Sequence, residues 1–189
     1  MGSENILVVD DDEDILNLIE RHLGNKGYEV ITAYDGEQAL ILLDKINFDL
    51  VITDLKMPKV DGMEVLRKVK EKDPNIEVVI LTGHGTMDSV IEALRDGGAF
   101  DYLHKPLYNI KQLSFVTKKA LERKRLRFEN QQLLDTLKET NKRLSEKVSR
   151  VTRDLSGIIT IAGSSSDNEL KQTLVPALEA LIEVLKVEE

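Results

Sequence analysis

Along residues 1–110, short apolar runs rich in β-branched residues alternate with longer stretches of helical spacing. The runs are Ile6–Val9, Tyr28–Ala33, Leu50–Thr53, Val78–Leu81 and Ala99–Leu103. Between them, Ile15, Leu18, Ile19 and Leu23 fall on one helical face, as do Ala39, Leu40, Leu43 and Ile46. Five strands alternating with helices predict an α/β fold: a doubly wound, five-stranded parallel sheet covered on both faces, with right-handed crossovers. The first, third and fourth runs are apolar at nearly every position, as in strands buried on both sides. Turn chemistry supports the count, with Gly24 and Gly27 closing the first helix, Asp35-Gly36 opening the second and Asp96-Gly97-Gly98 closing the fourth.

Beyond residue 110 the period changes. From Lys111 to about Gly163 there is no proline, and Gly157 is the only interior glycine. Heptad counting places Leu113, Ala120, Arg127, Leu134, Asn141, Val148 and Leu155 at a, and Val116, Arg123, Asn130, Leu137, Leu144, Val151 and Ile158 at d. From Leu134 onward only Asn141 is polar in this set, and a single asparagine at an a position favours two strands in register. The pattern predicts an extended fifth helix over 111–158 whose residues 131–158 form a parallel dimeric coiled coil. It fails at Arg123, Arg127 and Asn130, where the helices diverge or pack against the preceding domain. Residues 159–189 read as a helical tail or the start of a truncated output domain: a polar loop (Gly163-Ser164-Ser165-Ser166), a cap at Asp167 or Asn168, and a stripe of Leu170, Leu174, Leu178, Leu181, Ile182 and Leu185. Pro176 inside that stripe predicts a kink or a restart.

Charge sharpens the division. Residues 1–110 carry 22 acids and 11 bases, residues 111–155 carry 6 and 13, and residues 156–189 carry 6 and 2, which together give the net −8 of the chain. The basic middle segment mixes acids with its bases, lacks a dense Arg/Lys block and is followed by no helix-turn-helix pattern. It reads as the solvated exterior of a coil, with no direct DNA binding. The chain has no cysteine and three scattered histidines, which excludes disulfides, thiolate or histidine-rich metal sites and a cysteine nucleophile. No apolar run approaches the ~18 residues a membrane helix needs, and no secretion signal is visible, so a cytoplasmic protein is expected.

Ligands of doubly wound sheets bind beyond the carboxyl ends of the strands. There the sequence places Asp10, Asp11, Asp12, Glu13 and Asp14 after the first strand, Asp54 at the end of the third, Thr82 at the end of the fourth and Lys105-Pro106 after the fifth. Asp12, Glu13 and Asp14 read as a helix start favoured by the dipole. Asp10, Asp11 and Asp54 converge, and such a cluster needs raised pKa values or a cation. An all-oxygen donor set suits Mg²⁺. A carboxylate beside a metal and a lysine is equipped to form an aspartyl phosphate. The chain shows no glycine-rich phosphate cradle, which argues against a nucleotide donor held by the chain itself.

Val8-Val9-Asp10-Asp11, Thr53-Asp54-Leu55-Lys56-Met57-Pro58, Leu81-Thr82-Gly83 and Tyr102-Leu103-His104-Lys105-Pro106, in this order after these strands, resemble the response-regulator receiver domain of two-component signalling. The resemblance covers about residues 4–120 and assigns residues 1–120 to a flavodoxin-like receiver. It implies that Asp54 is the phosphoacceptor for a cognate histidine kinase, so that the chain is a regulator rather than an enzyme. It also implies that Asp10, Asp11, Asp54 and the Lys56 carbonyl hold Mg²⁺, and that Thr82 and Lys105 contact the phosphoryl group. Lys105-Pro106 is then expected to be cis. Tyr102 takes the position of an aromatic that swings as Thr82 moves, reshaping the face of helix 4, strand 5 and helix 5. Lys56 and His84 flank the phosphoryl group and tune its lifetime. His22 reads as a helix-surface residue, and His104 as structural or exposed. Over 159–189 alone, the long helix, Ser-rich loop and Leu-rich helix resemble the entry to a GAF sensory or output domain. The competing function is a phosphohydrolase whose nucleophile is Asp10, an assignment that leaves Asp54 idle.

Overall fold

The computed structural model describes residues 4–83, 91, 93–95, 97–164 and 168–187. The chain forms two units, Met1–Glu129 and Asn130–Glu189. In the first, β1 (Asn5–Val9), α1 (Glu13–Gly24), β2 (Glu29–Ala33), α2 (Gly36–Lys45), β3 (Leu50–Asp54), α3 (Gly62–Lys72), β4 (Glu77–Thr82) and β5 (Asp101–His104) follow one another. Residues 91 and 93–95 are helical and are labelled α4. Helix α5 (Ile110–Ser164) begins in this unit, and α6 (Asn168–Val187) lies in the second.

The strands form one parallel sheet in the order β2-β1-β3-β4-β5. Strand alternation sends successive side chains to opposite faces. Leu7, Val9, Val51 and Val78 therefore pack with Ala39 and Leu43 of α2 and with Val65, Leu66 and Val69 of α3. Ile6, Val8, Ile52 and Val79 pack on the other face with Leu16, Ile19 and Leu23 of α1 and with Leu113, Val116 and Ala120 of α5. Each of the buried valine, leucine and isoleucine side chains contributes roughly 1.5–3 kcal/mol. Asp12 caps α1 by accepting from the Asp14 and Ile15 amides, and Asp35 and Asp61 cap α2 and α3 in the same way. Gly27, at φ 91°, takes the left-handed conformation that turns the chain from α1 into β2.

The fifth strand starts later than its apolar run. The Ala99 amide donates to the Ala93 carbonyl and the Phe100 amide to Val78, so these residues close α4 and enter the sheet, and β5 proper begins at Asp101. In the second unit α5 continues past the expected end at 158 to Ser164, and α6 runs through Pro176 without a break in its helical assignment. Leu134, Leu137, Asn141, Leu144, Val151 and Ile158 are exposed, and Val148 and Leu155 half-buried. The expected cap at Asp167 and the side chains of Leu170 and Leu185 lie outside the described residues. Among the described residues, no helix is long and apolar enough to cross a membrane.

Candidate functional site

Strands β1 and β3 are neighbours in register, Val9 opposite Thr53, so the next residue of each, Asp10 and Asp54, meet at the carboxyl edge. Strand β5 pairs with β4 through Thr82 and His104, which delivers Lys105 to the same edge. The Lys105 ammonium lies 2.7 Å from Asp10 Oδ2 and donates to Asp54 Oδ2 at 2.8 Å. The other oxygens are held by backbone: the Asp12 amide donates to Asp10 Oδ1 at 3.0 Å and the Leu55 amide to Asp54 Oδ1 at 2.7 Å. Asp10 is wholly buried, whereas Asp54 retains 8% exposure. The backbone behind Asp54 leaves no room for a larger residue than Gly62, where a Cβ would stand 2.1 Å from the Asp54 carbonyl oxygen.

Burial raises the Asp10 carboxyl above its ordinary range; Lys105 and the Asp12 amide pull it back, and Asp54 adds a small push upward. Burial by itself lowers the Lys105 ammonium, but the two carboxylates outweigh it and the net shift is upward. Asp10, Asp11 and Asp54 each present an oxygen, all within 4.8 Å of one another. One ammonium cannot balance three carboxylates. Asp10 Oδ2 is buried without a well-aligned hydrogen bond among the described residues, and the Lys105 ammonium lies 2.7 Å from it. An all-oxygen trio with an under-satisfied member fits a small hard cation such as Mg²⁺.

The other predicted site residues lie around this trio. Thr82 ends β4, is buried and donates its hydroxyl to the Gly83 carbonyl at 3.1 Å. Lys56 is exposed and lines an open cleft with Asp11, Leu55, Met57 and Asp61. The Lys105-Pro106 peptide is cis, as expected. Tyr102 is half-buried, and its ring meets His104 edge-on with centroids 5.3 Å apart. His84 lies outside the described residues. The coil positions 134–155 belong to the second unit.

Two features escaped the sequence reading. His22 is no plain surface residue: it is half-buried, and Nε2 lies 2.6 Å from Ser114 Oγ of α5. Glu77, at the start of β4, is completely buried, and its Oε1 receives both Arg123 (3.1 Å) and Arg127 (3.3 Å). Lys124 joins them by pairing with Asp49 at 2.8 Å and donating to the Phe48 carbonyl. The interrupted heptads at Arg123 and Arg127 were the available signal. Of the two explanations that the pattern left open, packing against the first domain is the one observed.

Comparison with known proteins places this geometry. Residues 6–117 match the family model described as response regulator receiver domain. Nitrogen assimilation regulatory protein NtrX of Azorhizobium caulinodans is 31% identical over 188 residues, covering 94% of this chain and 41% of that protein. Transcriptional regulatory protein ZraR of Klebsiella oxytoca is 40% identical over 122 residues, covering 65% and 27%. The chain thus spans less than half the length of the curated relatives it matches. Among solved structures, a response regulator receiver domain protein from Clostridium thermocellum superposes with a TM-score of 0.61 at 44% identity, covering 65% of this chain and 98% of that one. NtrX from Brucella abortus superposes with a TM-score of 0.65 at 34% identity, covering 69% and 29%.

Proposed function

The chain belongs to the response regulator receiver domain family, and from that premise we propose that Asp54 accepts a phosphoryl group from the phosphohistidine of a histidine kinase. The observation that carries this reading is the Lys105 ammonium held between Asp10 and Asp54 at 2.7 and 2.8 Å. It orients the Asp54 carboxylate and stands ready to meet the incoming negative charge. An Asp54 oxygen attacks phosphorus, the P–N bond of phosphohistidine breaks, and the imidazole leaves with the electron pair and takes up a proton. Asp10, Asp11, Asp54 and the Lys56 carbonyl would hold Mg²⁺, which when bound neutralises phosphoryl oxygens. Thr82 turns its hydroxyl from Gly83 toward the phosphoryl group, and the half-buried Tyr102 follows into the space behind it. That movement alters the surface of α4, β5 and α5, the two-state element on which a local charge acts. Lys56 and His84 flank the product and set how fast water removes it.

The domain organisation that fits is a receiver over 1–120, a dimeric coil over 111–158 that relays the change, and a helical tail over 159–189. The exposed apolar d positions Leu137, Leu144, Val151 and Ile158 support a second copy as the coil's partner. The rival nucleophile, Asp10, is disfavoured by its complete burial, where Asp54 keeps 8% exposure.

The test is Asp54→Asn incubated with acetyl phosphate and Mg²⁺ and read by intact mass. The wild type gains one phosphoryl group and the variant none. Covalent label on Asp10 of the variant would transfer the assignment to the hydrolase reading.

A further inference from the structure

The heptad register of α5 describes one stripe, yet its two parts have opposite surroundings. In the first unit the a and d residues Leu113, Val116 and Ala120 are buried against β1, β3, β4 and α1. The next two positions, Arg123 and Arg127, are not apolar, and both guanidinium groups reach the wholly buried Glu77. Arg123 also stands over the Phe100 ring, 5.1 Å from its centroid, and Lys124 beside it pairs with Asp49. In the second unit the same register positions, from Leu134 through Ile158, are exposed or half-buried. Helix α6 belongs to that unit and leaves Leu137, Leu144, Val151 and Ile158 uncovered.

We infer that the Glu77–Arg123–Arg127 cluster marks where the stripe changes occupant: its own receiver through Arg127, and a second copy of this chain only from Leu134. The inference rests on the dimer reading of the coil and adds where that dimer surface begins and what closes it above. A guanidinium at an a or d position, placed in a dimer seam, meets the same guanidinium of the other copy with no carboxylate between them. Burying like charges without a counter-charge is strongly unfavourable. Glu77 supplies that counter-charge on the receiver side. The two arginines therefore hold the helix on its own domain and bar a second copy from the same segment. Asn141 then sets register within the seam that remains.

The chain has no cysteine, so single cysteines report contacts between copies without background. Under mild oxidation of the full chain, Leu137→Cys and Leu144→Cys are expected to form disulfide-linked dimers, and Val116→Cys to remain uncrosslinked. In parallel, Glu77→Gln is expected to speed amide hydrogen exchange of residues 121–129 by about tenfold or more. Crosslinking of Leu144→Cys should persist in that background. If neither Leu137→Cys nor Leu144→Cys crosslinks, the dimer reading itself fails. If both crosslink and Val116→Cys does so equally, the stripe is undivided and the inference is wrong. Unchanged exchange over 121–129 in Glu77→Gln would remove the cluster as its boundary.

Discussion

Replacing Asp11 with asparagine should stabilise the receiver when Mg²⁺ is absent and remove most of the stability that Mg²⁺ supplies. Asp10, Asp11 and Asp54 present oxygens within 4.8 Å of one another, with Lys105 in contact with Asp10 and Asp54. Two unit charges at that distance repel by about 0.9 kcal/mol in a water-like dielectric and by about 3.5 kcal/mol at an effective value of 20. Asp11 is exposed, so the water-like limit applies. Its two repulsions come to about 2 kcal/mol, and attraction to Lys105 returns part of that. A gain of about 1 kcal/mol follows, which at a typical urea dependence moves the unfolding midpoint up by roughly 0.5 M. Mg²⁺ at a hundred times its dissociation constant stabilises the wild type by about 2.7 kcal/mol, and the variant should gain less than half of that. Urea unfolding followed by tyrosine fluorescence suits the question, because the chain has no tryptophan and all four tyrosines (Tyr28, Tyr34, Tyr102 and Tyr108) precede α5. The reasoning is refuted if Asp11→Asn is less stable than the wild type in EDTA, or if both proteins gain equally from Mg²⁺.

Two further outcomes follow from the same site. Gly62→Ala drives a methyl group into the Asp54 carbonyl and should cost about 2–3 kcal/mol while lowering phosphoryl uptake, whereas Gly24→Ala, with open space around it, should keep uptake intact; equal uptake in the two variants would contradict the close approach. The Asp10 carboxyl is raised by burial, so without Mg²⁺ the folded chain binds a proton that the unfolded chain has already released. Its contribution to stability is full below the ordinary value of 3.8, declines as pH rises through the raised folded value, and is absent above it. Subtracting the stability–pH profile of Asp10→Asn from that of the wild type should expose this fall, and a flat difference would mean that Asp10 is not perturbed.

The receiver half was open to sequence reasoning because its information is local. The runs at Ile6, Leu50 and Val78 are short, β-branched and apolar at consecutive positions, as a strand covered on both faces requires. The acids and the lysine stand directly after those runs, so any parallel sheet of this order gathers them at one edge. Asp12 and Asp35 were equally legible, because a cap bonds to amides two or three residues away. The contact of His22 is hidden from its own neighbourhood, since its partner Ser114 is 92 residues distant. The burial of Glu77 is equally hidden, because a charged residue at the head of an apolar run looks like an ordinary strand start.

The sequence alone determined the alternation of strands and helices, the residues at the carboxyl edge and the heptad pattern of the long helix beyond Leu134, all of which follow from periodicity or from bonding between near neighbours. Only the tertiary structure decided how those charges are paired: Lys105 between Asp10 and Asp54, and Arg123 and Arg127 on Glu77. Ion pairs of that kind join residues from 46 positions apart (Glu77 and Arg123) to 95 apart (Asp10 and Lys105). Their worth depends on burial, which periodicity at either partner does not encode.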